Sequence, residues 1–160
     1  MKGIRYIKGD ATYPNGEGKK IIAHICNDLV PGKWGRGFVL AISKRWTKPR
    51  NEYIKWSKGL TRGTDYKLGS VQFVKVEEDI VIANMLAQHG IGMENNVPPI
   101  RYGALKKCLE TLSVAALRNN ATIHSPKFGS GLSGGSWEII ENYIKEYICD
   151  KNVEIFIYTI

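Results

Sequence analysis

Pro31-Gly32-Lys33-Trp34-Gly35-Arg36-Gly37-Phe38 follows the apolar run Ile21-Ile22-Ala23-His24-Ile25-Cys26-Asn27 and leads into an amphipathic segment. A second stretch, Phe128-Gly129-Ser130-Gly131-Leu132-Ser133-Gly134-Gly135-Ser136, stands in the same relation to Ala121-Thr122-Ile123-His124-Ser125-Pro126. Glycine lets backbone approach a ligand closely, and a loop that feeds a helix start aims free N–H groups at whatever sits there. In an open α/β sheet such loops lie at the carboxyl ends of strands, where ligands bind. Two of them on one sheet suggest an anion with more than one phosphate, held from both sides.

Outward from these loops, the chain alternates. Short β-branched runs bounded by Gly, Pro, Asn or Asp occur at 4–8, 20–26, 70–76, 80–86, 121–124 and 153–158. The pair around Glu77-Glu78-Asp79 reads as a hairpin, which makes the sheet mixed. Helical spacing predicts helices over 38–46, 49–58, 100–118 and 137–147, with Pro49 in a first turn and Ser136 as an N-cap. This is a layered α/β pattern in one domain, residues 1–160.

Bulk properties narrow the classes. With 43% hydrophobic and 24% charged residues the chain has the balance of a globular protein. It contains no run of about 18 apolar residues and no signal-peptide core, so no membrane role and a soluble, cytoplasmic location are expected. Cys26, Cys108 and Cys149 are an odd number without metal-ligand spacing, so no disulfide framework and no metal are expected. The net charge of +8 suits a phosphate-bearing ligand, but its lysines and arginines are scattered and lack an aromatic-basic patch. Nucleic acid is therefore disfavoured as a partner.

Among reactive side chains, His24, His89 and His124 all fall near strand ends that lead toward the loops. His24 has two readings: a satisfied core histidine, or an acid, base or electrostatic partner for a phosphate. Cys26 reads as a buried, inert thiol. Trp34 and Phe128 are expected to stack on a ligand or wall it off, and Gly131 to reject a side chain. The first loop is not a P-loop, because no Gly-Lys-Ser/Thr closes it.

Taken in order, Gly9-Asp10-Ala11-Thr12, His24-Ile25-Cys26-Asn27, Trp34-Gly35-Arg36-Gly37-Phe38, Pro126-Lys127-Phe128-Gly129-Ser130-Gly131-Leu132 and Trp137-Glu138 resemble a macro domain, nearly end to end. The resemblance is to the compact branch of yeast-type ADP-ribose 1''-phosphate phosphatases and terminal ADP-ribose glycohydrolases. It implies a three-layer α/β/α fold on a mixed, about six-stranded sheet, and ADP-ribose or its 1''-phosphate as ligand, with no cofactor. An ADP-ribosylated protein is a further partner it allows. It implies that Asp10, with Ala11 beside it, meets the adenine amino group. Gly129 to Gly135 would wrap the diphosphate, so that Phe128, Gly129, Ser130, Gly131, Leu132, Ser133 and Gly134 are binding residues. Trp34, Gly35, Arg36, Gly37 and Phe38 would flank diphosphate and distal ribose. His24 and Asn27 match positions where chemistry occurs, with His89 as a further catalytic candidate.

Two departures bear on activity. The segment Ala83-Asn84-Met85-Leu86-Ala87-Gln88-His89-Gly90 lacks the lysine that glycohydrolases of this branch carry after the fourth strand, and Ser133 stands where their aspartate falls. A lysine-adduct route is thereby disfavoured. A hydrolase acting at the distal ribose and a non-catalytic ADP-ribose reader both remain open.

Overall fold

The computed structural model describes residues 2–131 and 133–160. Leu132, expected in the second loop, lies outside the described residues. Strands β1 (Ile4–Lys8), β2 (Lys20–Asn27), β3 (Val71–Glu77), β4 (Ile80–Gln88), β5 (Thr122–Pro126) and β6 (Ile155–Thr159) form one sheet in the order β1-β6-β5-β2-β4-β3. All neighbours are parallel except β3 and β4, the antiparallel hairpin expected at Glu77 to Asp79. Helices α1 (Phe38–Arg45), α2 (Lys48–Ser57), α3 (Tyr102–Asn119) and α4 (Trp137–Tyr147) complete the element list, with a 3-10 turn at Cys149–Lys151 that the sequence pattern does not signal.

The two faces of β2 show why its run is continuously apolar. Ile21 and Ala23 pack with Leu105, Leu109, Ile140 and Ile144 of α3 and α4, while Ile22 packs with Ile42 of α1. Alternate residues point to opposite faces, so a strand covered on both sides cannot alternate with polar residues. This is the three-layer α/β/α arrangement. Leu105, Leu109 and Leu112 place one stripe of α3 against the sheet, each with no exposed surface. Fully burying each contributes roughly 1.5–3 kcal/mol. Ser136 caps α4, its hydroxyl accepting from the Ile139 N–H at 3.5 Å. Asn120 at φ +50° closes α3 in the left-handed conformation that asparagine tolerates. Among the described residues no helix is long and apolar enough to cross a membrane.

Candidate functional site

Because β1, β6, β5, β2 and β4 run parallel, their carboxyl ends share one edge of the sheet. Asp10, Asn27, His89 and both glycine loops therefore emerge on the same side.

At the β1 end, Asp10 is exposed. Its Oδ1 accepts from the Thr12 N–H and hydroxyl, both at 2.8 Å, and Oδ2 takes none of the described hydrogen bonds. The turn beneath it is fixed: Ala11 and Thr12 are buried, the Asn15 N–H donates to the Tyr158 hydroxyl at 2.8 Å, and Arg45 of α1 donates to the Thr12 carbonyl. One carboxylate oxygen thus holds the turn.

The first loop is anchored from below. The Asn27 side chain donates to the Lys33 carbonyl at 2.7 Å, while its Oδ1 accepts from the Tyr53 hydroxyl at 2.9 Å. Tyr66 reaches over from residues 60–69 and donates to the Leu29 carbonyl at 2.6 Å. Burial pushes the Tyr66 phenol up to about 12, so it stays a donor. Asn27, expected beside a distal ribose, instead spends its amide on this loop. Trp34 also differs from expectation. Its indole N–H donates to Ser43 Oγ at 2.9 Å and its ring packs edge-on against His24 and near Tyr53, so it roofs the core rather than stacking outward. Phe38 is half-buried against the same cluster. Gly35 and Arg36 stay exposed, and Gly37, at φ +87°, precedes α1 with no side-chain cap. The first N–H groups of α1 are left for a ligand or water.

The second loop is set differently. Phe128 is only 5% exposed and packs against Trp137, so the expected ligand-stacking ring is a core residue. Gly129 sits at φ +80°, where an added Cβ would lie 2.8 Å from Ile140, 2.9 Å from Ile100 and 3.2 Å from Ile25. Gly134 is close to Pro98, and a Cβ on Gly135 would meet the Gly129 carbonyl oxygen at 2.5 Å. Gly131, by contrast, has no positive φ and an added Cβ meets nothing within 4 Å. The fold itself leaves room for a side chain there. Ser130 is half-buried and donates to the Lys127 carbonyl, while Ser133 is buried and donates to Gln88 Oε1 at 2.5 Å.

His24 lies within β2, 2% exposed, with Nε2 at 2.5 Å from Asn84 Oδ1 and with Nδ1 unpartnered. Burial lowers its pKa to about 4 against the opposing Asn84 bond, so it is neutral near pH 7. Covered by Trp34 and Phe38, it has the geometry of the core-histidine reading. Cys26 is buried and its thiol pushed well up by desolvation, as expected of an inert cysteine. His89 is the opposite case. At 46% side-chain exposure it places Nδ1 2.7 Å from Asp28 Oδ2. No one-dimensional signal pairs Asp28 with His89 or Gln88 with Ser133.

Among the described residues no group of three or more His, Cys, Asp or Glu converges to hold a metal ion. A hollow of about 360 Å³ opens at the other end of the strands, lined by Lys19, Lys20, Phe73 and Lys75. Its buried Lys20 is already engaged by Asp79 and the Gly18 carbonyl.

No protein-family model matches the chain. A solved protein of unknown function from Bacteroides thetaiotaomicron is 44% identical, with a TM-score of 0.93 and 99% of both chains covered. A macrodomain protein from Streptomyces coelicolor is 39% identical, with a TM-score of 0.84 over 98% of this chain and 99% of that one. The ADP-ribose 1''-phosphate phosphatase of Candida albicans is 27% identical over 98% of this chain and 99% of its own length. Chromodomain-helicase-DNA-binding protein 1-like from mouse is 29% identical over 97% of this chain, which spans 17% of that protein.

Proposed function

The chain belongs to the macrodomain family, and from that premise we propose that it binds ADP-ribose at the loop-lined edge and hydrolyses a group attached at the distal ribose. The carrying observation is the second loop: packing against Ile25, Ile100, Ile140 and Pro98 fixes the backbone at Gly129, Gly134 and Gly135, and between them Gly131 puts no side chain into the open space beside it. Backbone N–H groups and the open start of α1 suit a diphosphate. The free Oδ2 of Asp10 suits an amino-group donor such as adenine. Residues 1–160 act as one domain in this reading. The Candida albicans phosphatase, similar along nearly its whole length, supports an ester or phosphate at the distal ribose as the reacting group.

The buried state of His24 moves chemistry away from it and toward the exposed end of β4. The second reading, a reader without turnover, is favoured by the missing lysine and by Ser133 in the place of an aspartate.

Calorimetric titration with ADP-ribose tests the binding site. We expect 1:1 stoichiometry, and an Asp10→Ala variant weakened at least about tenfold, since a hydrogen bond to a charged group contributes about 1.5–3 kcal/mol. Unchanged affinity in that variant removes the adenine assignment. Release of phosphate from ADP-ribose 1''-phosphate, or of carboxylate from a glutamyl-ADP-ribosylated peptide, separates enzyme from reader.

A further inference from the structure

Asp28 and His89 come from different strand ends and meet at the carboxyl edge of the sheet. Asp28 follows β2 and His89 follows β4, the two central strands paired from Lys20 to Asn27. Both backbones are pinned, with the Asp28 N–H on the Gln88 carbonyl at 3.0 Å and the His89 N–H on the Pro99 carbonyl at 2.8 Å. Each Asp28 oxygen has its own donor: Oδ1 takes the Gly90 N–H at 2.9 Å and Oδ2 faces His89 Nδ1 at 2.7 Å. The side chains are unequally covered, 18% exposed for Asp28 and 46% for His89. An ordinary surface ion pair has two mobile partners and is worth little. Here the carboxylate is fixed and the imidazole projects from it.

An ionised carboxylate only accepts hydrogen bonds, so Asp28 requires the proton of a neutral His89 to sit on Nδ1. That leaves the lone pair on Nε2, which lies 3.9 Å from Glu94 and beyond hydrogen-bond reach of it. A carboxylate that fixes the tautomer of an imidazole base is a known way to prepare a proton acceptor. Resting on the hydrolytic reading above, we propose that His89 is the general base of the reaction at the distal ribose and that Asp28 is its positioning residue. Water attacks the phosphorus or acyl carbon joined to O1'' and gives its proton to His89 Nε2. The bond from that centre to O1'' then breaks, and the same proton passes to O1''. Ester and water become ADP-ribose and free phosphate or carboxylate, with no other reactant. The pair thus supplies a route that needs no lysine adduct.

The test compares wild type with His89→Gln and Asp28→Asn on three readouts. First, long-range nitrogen–proton correlation of the imidazoles at pH 7.5 is expected to show the Nδ1–H tautomer for His89 in wild type and a tautomer mixture in Asp28→Asn. Second, calorimetry with ADP-ribose is expected to give affinities within about threefold of wild type for both variants, which also reports that they are folded. Third, turnover of ADP-ribose 1''-phosphate and of a glutamyl-ADP-ribosylated peptide identifies the natural leaving group. On whichever is turned over, each variant should lose at least about 10²-fold, the scale of general base catalysis. The double variant should be no worse than the poorer single one, because the residues act as a unit. A wild-type Nε2–H tautomer, or a His89→Gln protein that keeps turnover within threefold, overturns the dyad alone. Wild type that binds ADP-ribose but turns over neither substrate also overturns it and leaves the reader. Wild type that does not bind ADP-ribose overturns the underlying reading, and the dyad with it.

Discussion

The two glycine loops look alike in sequence and differ in what their glycines do. In the first, Gly35 and Gly37 have positive φ but open space around them, while the loop is tied down by Asn27, Tyr53 and Tyr66 from beneath. In the second, Gly129 and Gly135 are wedged against Ile100 and Ile140, and Gly135 also against the Gly129 carbonyl. In the first loop only Gly32, against Tyr53, has no room for a side chain; in the second that holds for Gly129, Gly134 and Gly135 and not for Gly131. Similar composition therefore arises from two constraints, and a glycine count cannot tell them apart.

Each strand that feeds a loop also carries a buried neutral histidine, which acid should protonate. His24 lies under the first loop; its pKa is lowered to about 4 by burial. His124, on the strand entering the second, is lowered to about 4 by burial and then by the Lys20 charge. His124 is also held by the Tyr158 hydroxyl and Thr122, each at 2.7 Å. A histidine whose folded pKa lies below its ordinary 6.5 binds its proton preferentially in the unfolded chain. Its stabilisation is present above pH 6.5 and is lost as the pH falls toward 4. From pH 7 to 5 each should cost about 2 kcal/mol, about 4 kcal/mol together. Urea unfolding at the two pH values measures this. A loss under about 1 kcal/mol would mean that neither imidazole is held neutral.

Gly129→Ala sharpens the contrast from the packed side. Overpacking against three isoleucines adds to the strain of a positive φ, for a loss of about 3 kcal/mol. In a chain of this size that lowers the melting midpoint by about 6–12 °C. A midpoint within 2 °C of wild type would show that the second loop yields as easily as the first.

The smallest effect is expected at Gly131→Val. With open space and no positive φ, the melting midpoint should stay within about 2 °C, while ADP-ribose affinity falls about tenfold, or about 1.4 kcal/mol. Loss of both would return Gly131 to the structural class of its neighbours; loss of neither would take the ligand away from this part of the loop.

The elements were legible because their signals are local. β-branched runs bounded by breakers locate all six strands, and a serine before a periodic apolar segment locates the start of α4. The site was legible only as a set of strand ends. Which way Trp34 and Phe128 turn depends on the space beneath each ring, and both turn inward because an aromatic ring beside a core pocket buries more apolar surface there. His24 next to Asn84 and His89 next to Asp28 depend on how β2 and β4 are aligned. Nothing in either strand alone encodes that register, so a histidine in the core and one at the mouth read identically until the strands are paired.

The strand order also makes the sheet a ruler. Asp10 leaves β1 and His89 leaves β4, with β6, β5 and β2 between them. Four interstrand spacings of about 4.8 Å separate the two ends by about 19 Å. A ligand that touches both must be long and must lie across the strands, with its middle over the second loop at β5 and the start of α1 after β2. A mononucleotide or a ribose phosphate alone reaches only one end. The separation of the two strand ends is thus fixed by backbone hydrogen bonds of the sheet, which no side-chain substitution at either end can lengthen or shorten.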